Sequence, residues 1–307
     1  MAGGCTGREE FFKKSTYYLC RTANDFRMRL IRRGKVKDVY DMEDGRILFH
    51  FSDRISAFDV KMNTPIPRKG EVLCKFAQYW FDTLGVSHHM LKLEGKDKMI
   101  AKKIEIIPLE CVVRGYFYGS IVDRYNKGEL RTSSPPASFG PVTAAKLIEP
   151  IFDPTTKSEE HDIPIGENEA ISAGILSKQE FDHLKQTSIS LYKKMSLITE
   201  SAGFIIADVK FEFGRDPSTG NILLGDSIGP DEYRLWLTCD YQPGKIQESY
   251  DKQLLRDWLT KIGFKAKVDK LREQGRKPDP PDLPPEIISE LTRRYVFAYQ
   301  RITGRQL

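Results

Sequence analysis

The run of residues 204–236, FIIADVKFEFGRDPSTGNILLGDSIGPDEYRLW, limits the possible folds more than any other stretch of this chain. With the period of two that a strand imposes, Ile205, Ala207, Val209, Phe211 and Phe213 fall on one face. Asp208, Lys210 and Glu212 fall on the other. Residues 215–220, RDPSTG, supply turn chemistry, and the chain returns through 221–224 to deliver Asp226, Asp231 and Arg234. A hairpin that buries one face and presents alternating carboxylate and ammonium on the other is a poor device for stability alone. One reading is a polar sheet face with compensating charges. The other is a site for Mg²⁺ and phosphate, because that ion takes oxygen ligands, commonly one or two carboxylates plus the phosphates of a nucleotide.

The remaining bounds exclude several classes. A chain of 307 residues can bury a large core and divide into two lobes. The net charge of +5 is modest, and its densest cluster (Arg27, Arg29, Arg32, Arg33, Lys35 and Lys37) lacks the interleaved aromatics of a nucleic-acid stacking platform. An anionic small molecule or a solvated face suits that cluster better. Cys5, Cys20, Cys74, Cys111 and Cys239 are odd in number and form no CxxC, which argues against a disulfide framework or a structural zinc. No apolar run approaches spanning length and the first residues lack a signal-peptide core, so a cytoplasmic protein is expected.

Along the chain, residues 30–40 read as a strand around GKVKDVY, and 47–51 as its hairpin partner, with Lys35 and Lys37 on one face. Such a hairpin can lie over a triphosphate as a lid. Residues 52–59, SDRISAFD, read as a polar functional loop. Residues 71–84 have helical spacing, with Val72, Phe76, Trp80 and Leu84 as a core stripe. Residues 99–113 read as strands interrupted by Pro108, the expected boundary between lobes. The glycines around Tyr116, Phe117 and Tyr118 suggest close backbone packing. Ser177-Lys178-Gln179-Glu180 is a capping box that opens a long helix with Phe181, Leu184, Leu191, Met195 and Ile198 inward and Gly203 as its stop. Two further helices are expected near 250–258 and through Ile288, Leu291, Tyr295 and Ala298.

Six motifs in order resemble the SAICAR synthetase family: GKVKDVY at 34–40, SDRISAFD at 52–59, IIPLECVVRGYFYGS at 106–120, ADVKFEFG at 207–214, GDSIGPDEYRLW at 225–236 and YDKQLLRDWL at 250–259. The resemblance implies an α+β fold of two lobes with antiparallel sheets and flanking helices, loosely like the protein kinases. A nucleotide lobe would occupy 1–110 and a substrate and metal lobe 111–307. It implies a ligase that joins L-aspartate to carboxyaminoimidazole ribonucleotide with ATP and Mg²⁺, through an acyl phosphate. The partners would be small molecules, with no nucleic acid and no membrane.

Carried over position by position, the resemblance places Gly34, Lys35, Lys37 and Lys103 on ATP, with the backbone from 106 to Glu110 near the adenine. Glu212 and Asp226 would hold Mg²⁺. Arg114, Ser120 and Arg234 would hold the ribonucleotide phosphate, where the planar guanidinium fork suits the anion. Asp208, Lys210 and Asp231 would orient the imidazole and its carboxylate. Ser56 would join the substrate pocket, and Lys157, His161, Asp162 and Lys252 would complete it on the aspartate side. The chain departs from the family pattern at Ser227, where an acid is usual, at Glu232-Tyr233, where small residues are usual, and at Tyr118. Tyr118 and Tyr233 are expected to crowd the phosphate pocket. A small-molecule kinase on the same scaffold is the competing enzyme reading, and aspartate dependence separates the two. A nucleic-acid binder using the basic cluster is the non-enzymatic one, and salt dependence would reveal it.

Overall fold

The computed structural model describes residues 28–129, 142–157 and 163–307. His161 and Asp162 lie outside the described residues, as does Arg27 of the basic cluster.

Two antiparallel sheets share one main core. The first is built from β1 (Arg29–Arg33), β2 (Lys37–Asp41) and β3 (Arg46–Phe51). A small hairpin, β4 (Ser56–Ala57) and β5 (Val60–Lys61), and helix α1 (Lys69–Leu84) follow, and then β6 (Met90–Leu93) and β7 (Lys98–Lys102) close the sheet in the order β1-β2-β3-β7-β6. The single strand expected over 30–40 is therefore two. Gly34 makes the turn between them: its N–H bonds the Lys37 carbonyl at 2.8 Å, and a Cβ there would meet that oxygen at 2.7 Å. The expected α1 stripe is buried as read, with Val72, Phe76 and Trp80 fully enclosed.

The second sheet begins with β8 (Glu105–Tyr116), followed by α2 (Ser120–Asn126), β9 (Lys146–Phe152), β10 (Thr155–Thr156) and α3 (Glu167–Ser172). Helix α4 (Lys178–Ser201) then leads into β11 (Phe204–Arg215), β12 (Ile222–Leu224) and β13 (Tyr233–Leu237). Helices α5 (Gln253–Lys261), α6 (Phe264–Arg272) and α7 (Pro285–Thr303) end the chain. Strand β11 is the axis of this sheet, pairing with β8, β12 and β13. The α4 capping box forms as read: Glu180 N–H donates to Ser177 Oγ at 3.3 Å, and Glu180 Oε2 accepts from Ser177 N–H at 2.8 Å.

Proline 108 does not interrupt its strand. Register with β11 shifts between Glu212 and Gly214, opposite the Ile107–Leu109 stretch, and this bulge absorbs a residue with no N–H to give. The change of sheet comes at Lys103 and Ile104, so the expected boundary at 110/111 falls inside β8.

A second bulge, between Ile206 and Asp208 against β13, changes which side chains share a face. Phe204 and Ile206 join Val209, Phe211 and Phe213 in the main core, whereas Ile205 and Ala207 pack in a separate cluster with Tyr116, Tyr118 and Trp236. The strict alternation read from the sequence therefore holds only from Asp208 onward. That is the part that carries the charged side chains.

Candidate active site

Strand β11 presents Asp208, Lys210 and Glu212 in a row, with Asp208 and Glu212 about 13 Å apart along the strand. Each end of the row meets a different set of partners.

At the Glu212 end, lysines and acids from both sheets interlock. Lys157, just after β10, pairs with Glu212. Lys210 donates to Glu110 of β8 at 2.7 Å and to Glu212 at 3.2 Å, and the Thr155 hydroxyl donates to Glu110 at 3.3 Å. From the first sheet, Lys37 on β2 crosses to Asp226 and donates to Ser227 Oγ at 2.8 Å. Its ammonium lies 5.6 and 5.7 Å from the ring centres of Phe49 and Phe51. Burial would lower the Lys37 pKa, but Asp226, with Glu232 and Glu212 behind it, raises it above the ordinary lysine value. Burial works equally against the Asp226 carboxylate, yet Lys37 and Lys157 hold it well below the usual range. Lys210 is raised in the same manner, with Glu212 and Glu110 outweighing burial.

Asp226 is held in the left-handed region, at φ 52°, which Asp tolerates better than most side chains. The segment after α1 fixes it there. His89 N–H bonds the Leu224 carbonyl at 3.0 Å, and His89 Nε2 donates to the Asp226 carbonyl at 3.0 Å. Burial lowers the His89 pKa to about 4, so the ring is neutral at neutral pH.

At the Asp208 end, two arginines lean on one carboxylate. Arg114 Nη1 lies 3.4 Å from Asp208, its Nε bonds Asp153 at 2.6 Å and its Nη2 bonds the Ser120 hydroxyl at 3.0 Å. Arg234 pairs with the same Asp208, and its guanidinium lies 5.6 Å from the Tyr118 ring centre. Gly119, at φ 74°, brings the backbone so close that a Cβ would stand 2.9 Å from Arg234 Nη2. Tyr118 therefore borders the Arg234 guanidinium. Tyr233 does not: it is 3% exposed and packs edge-on against Phe76 in the main core, because it opens β13 on the face opposite Arg234.

The other expected residues are scattered around these two centres. Lys35 sits in the exposed β1–β2 turn and pairs with Asp59, and Lys103 donates to Asp41 at 2.7 Å. Ser56 is buried in β4 and joins neither network among the described residues. Both Asp231 oxygens are engaged, Oδ2 by Lys69 at 2.7 Å and Oδ1 by Tyr295 at 2.8 Å. Lys252 precedes α5 near Asp231; burial lowers its pKa to about 8 against the pull of that acid. Glu110 enters by its side chain, and Lys157 lies on Glu212. Sequence reading also missed His89, Asp153, Lys69, Tyr295 and the inward-facing Glu232. Only Glu232 carried a signal, as an acid in a position read as a departure. Burial pushes the Glu232 carboxyl up; Lys37 works against that shift, and Asp231 and Asp226 add to it.

The same frame occurs in solved enzymes. It is similar to SAICAR-synthase from Saccharomyces cerevisiae complexed with SAICAR, at a TM-score of 0.77 and 32% identity over 94% of this chain and 99% of that one. A SAICAR synthetase (Type-2) in complex with ADP follows at a TM-score of 0.67 and 26% identity, over 90% and 98%. With 32% identity to such an enzyme over nearly its whole length, the chain is an enzyme of the ATP-dependent carbon–nitrogen ligase class. The SAICAR synthetase model matches residues 30–271. The phosphoribosylaminoimidazole-succinocarboxamide synthase of Nitrosopumilus maritimus (strain SCM1) is 54% identical over 91% of this chain and all of that one, and that of Candida maltosa is 39% identical over 90% and 94%. The chain belongs to the SAICAR synthetase family, which performs the ATP-dependent ligation of aspartate in purine biosynthesis.

Proposed function

We propose that Lys37, Glu212 and Asp226 form the ATP and Mg²⁺ end of the site, and that Arg114, Ser120 and Arg234 bind the phosphate of carboxyaminoimidazole ribonucleotide. One observation carries this reading: a lysine of the first sheet already meets an acid of the second, Lys37 on Asp226, beside the Lys157–Glu212 pair. Two carboxylates match the donor chemistry Mg²⁺ takes when nucleotide phosphates complete its shell. Each now holds an ammonium, a monovalent stand-in for such a cation. When bound, the ion would neutralise charge on the transferring phosphoryl group.

The ligation then divides into two displacements. A carboxylate oxygen of the imidazole attacks the γ-phosphorus and ADP departs, leaving an acyl phosphate. The aspartate amine next attacks the acyl carbon. Its C–O bond to the phosphoryl group breaks, phosphate leaves, and the nitrogen gives up a proton. Lys37 holds the triphosphate, with Lys35 and Lys103 at the outer margin and Gly34 shaping the turn. Lys210, set between Glu110 and Glu212, faces the reacting carboxylate. Asp208 keeps both arginines aligned for the second phosphate, so it orients the ribonucleotide indirectly. Asp231 orients the imidazole and its carboxylate, and Lys252, close to it, lies toward the aspartate side. Such chemistry depends on positioning and charge neutralisation more than on a protein nucleophile.

We further infer two lobes, a nucleotide lobe and a substrate lobe, that meet near Lys103 and Ile104, where the sheets change. Small-molecule partners and a cytoplasmic setting complete the reading; Cys74, Cys111 and Cys239 are free thiols, which suits a reducing compartment. The mechanism is tested by labelling the imidazole carboxylate with ¹⁸O. An acyl phosphate transfers one labelled oxygen to inorganic phosphate, whereas unlabelled phosphate would exclude it.

A further inference from the structure

We propose that Tyr295 of the C-terminal helix is a positioning residue for the ligation, acting through Asp231. Helix α7 lies wholly beyond residue 271, where the family match ends, yet it reaches the site with one hydroxyl. Tyr295 is 1% exposed and its ring is packed in the main core with Leu291, Ala298 and Tyr299, so packing decides where the ring sits. Its hydroxyl donates to Asp231 Oδ1 at 2.8 Å. From the first turn of α1, Lys69 donates to Oδ2 at 2.7 Å, with its ammonium 5.8 Å from the Tyr295 ring centre.

This trio is badly designed for stability. The Lys69 side chain is 0% exposed and that of Asp231 is 4% exposed, and removing both ions from water offsets most of their attraction. Apolar side chains of similar volume would hold α1 to α7 at least as well. What the trio does supply is a carboxylate fixed in charge and direction. Burial alone would raise the Asp231 pKa, but Lys69, Lys252 and the Tyr295 hydroxyl hold it well below the usual carboxylate range. Asp231 is in turn the strongest charge opposing the loss of the Lys252 proton. The chain of influence therefore runs from Tyr295 and Lys69 through Asp231 to Lys252, on the substrate side.

This inference rests on the proposed place of Asp231 beside the substrate, and a double-mutant cycle separates the two. Tyr295→Phe, Asp231→Asn and the combined variant are compared for kcat, for KM of each substrate and for melting temperature, with Tyr299→Phe as a control for a buried tyrosine of the same helix. We expect Tyr295→Phe to lower kcat about tenfold, as the loss of a hydrogen bond to a charged group implies. The KM for ATP should stay within twofold of wild type, and Tyr299→Phe should keep wild-type kcat. The combined variant should be no slower than Asp231→Asn alone, because a residue that acts only through Asp231 has nothing left to lose. Wild-type kcat in Tyr295→Phe beside a crippled Asp231→Asn would overturn the inference and leave the site reading intact. So would an equal loss in Tyr299→Phe, or losses that multiply in the combined variant. Full activity in Asp231→Asn would instead remove the site reading itself, and this inference with it.

Discussion

Replacing Gly119 by Ala tests the arginine pocket at the point where backbone and side chain come closest. Two penalties combine there. The backbone sits at φ 74° and ψ −144°, a region that L side chains scarcely enter, at a strain of about 1–3 kcal/mol. The new Cβ would also stand 2.9–3.0 Å from three atoms of the Arg234 guanidinium, so Arg234 must move. That movement disturbs its pairing with Asp208 and its position over Tyr118. A charged hydrogen bond to phosphate is worth about 1.5–3 kcal/mol, so misplacing the donor should raise the KM for the ribonucleotide by roughly 10-fold or more. The KM for ATP should change less than twofold. Strain of about 2 kcal/mol should also lower the melting temperature by roughly 3 °C in a chain of 307 residues. Gly263→Ala controls for a positive φ alone: its φ is 76° and its ψ 5°, and nothing lies within 4 Å of the added Cβ. Steady-state kinetics with each substrate varied, beside thermal melts, gives both numbers. A ribonucleotide KM that stays at the wild-type value in Gly119→Ala, or rises equally in Gly263→Ala, would refute the pocket assignment.

Other perturbations separate the roles at the opposite end. Asp226→Asn strips Lys37 of its charged partner and should lower kcat by at least about 100-fold, measured as ADP release at saturating substrates. Ser227→Ala leaves that pair but removes a neutral acceptor 2.8 Å from Lys37; about 1 kcal/mol is lost, seen as a roughly fivefold higher KM for ATP. His89 is neutral in the fold with its pKa lowered to about 4, whereas the unfolded chain binds its proton near 6.5. Folding stability should therefore fall as pH drops from about 6.5 to 4, by at most about 3 kcal/mol from this group. Denaturant unfolding of His89→Gln across that range should show a shallower decline; an unchanged slope would count against a buried neutral imidazole.

The charged row was legible because a strand repeats every two residues, so Asp208, Lys210 and Glu212 had to share a face whatever their surroundings. The same rule misplaced Ile205 and Ala207, since a bulge before Asp208 leaves no trace in hydrophobicity. Pro108 misled in a related way: the sequence shows the missing N–H, but not the register shift on the facing strand that accommodates it. Lys157 and Asp153 enter through pairing of β8 with β9 and β10, long-range contacts that no local spacing reports. Tyr295 was visible only as part of an apolar helix stripe, because its ring does belong to the core and only the hydroxyl faces Asp231. Tyr233 was read toward the pocket for want of the strand register that turns it away. Helical elements, by contrast, were read well wherever caps and stripes agreed, as in α4 with Ser177 and Glu180.

The enzyme couples ATP consumption to the joining of aspartate and the imidazole ribonucleotide. ADP release measured with ATP, Mg²⁺, ribonucleotide and aspartate, each omitted in turn, tests it most directly. Steady turnover is predicted only when all four are present, with one ADP formed per SAICAR. Full turnover in the absence of aspartate would contradict the coupling.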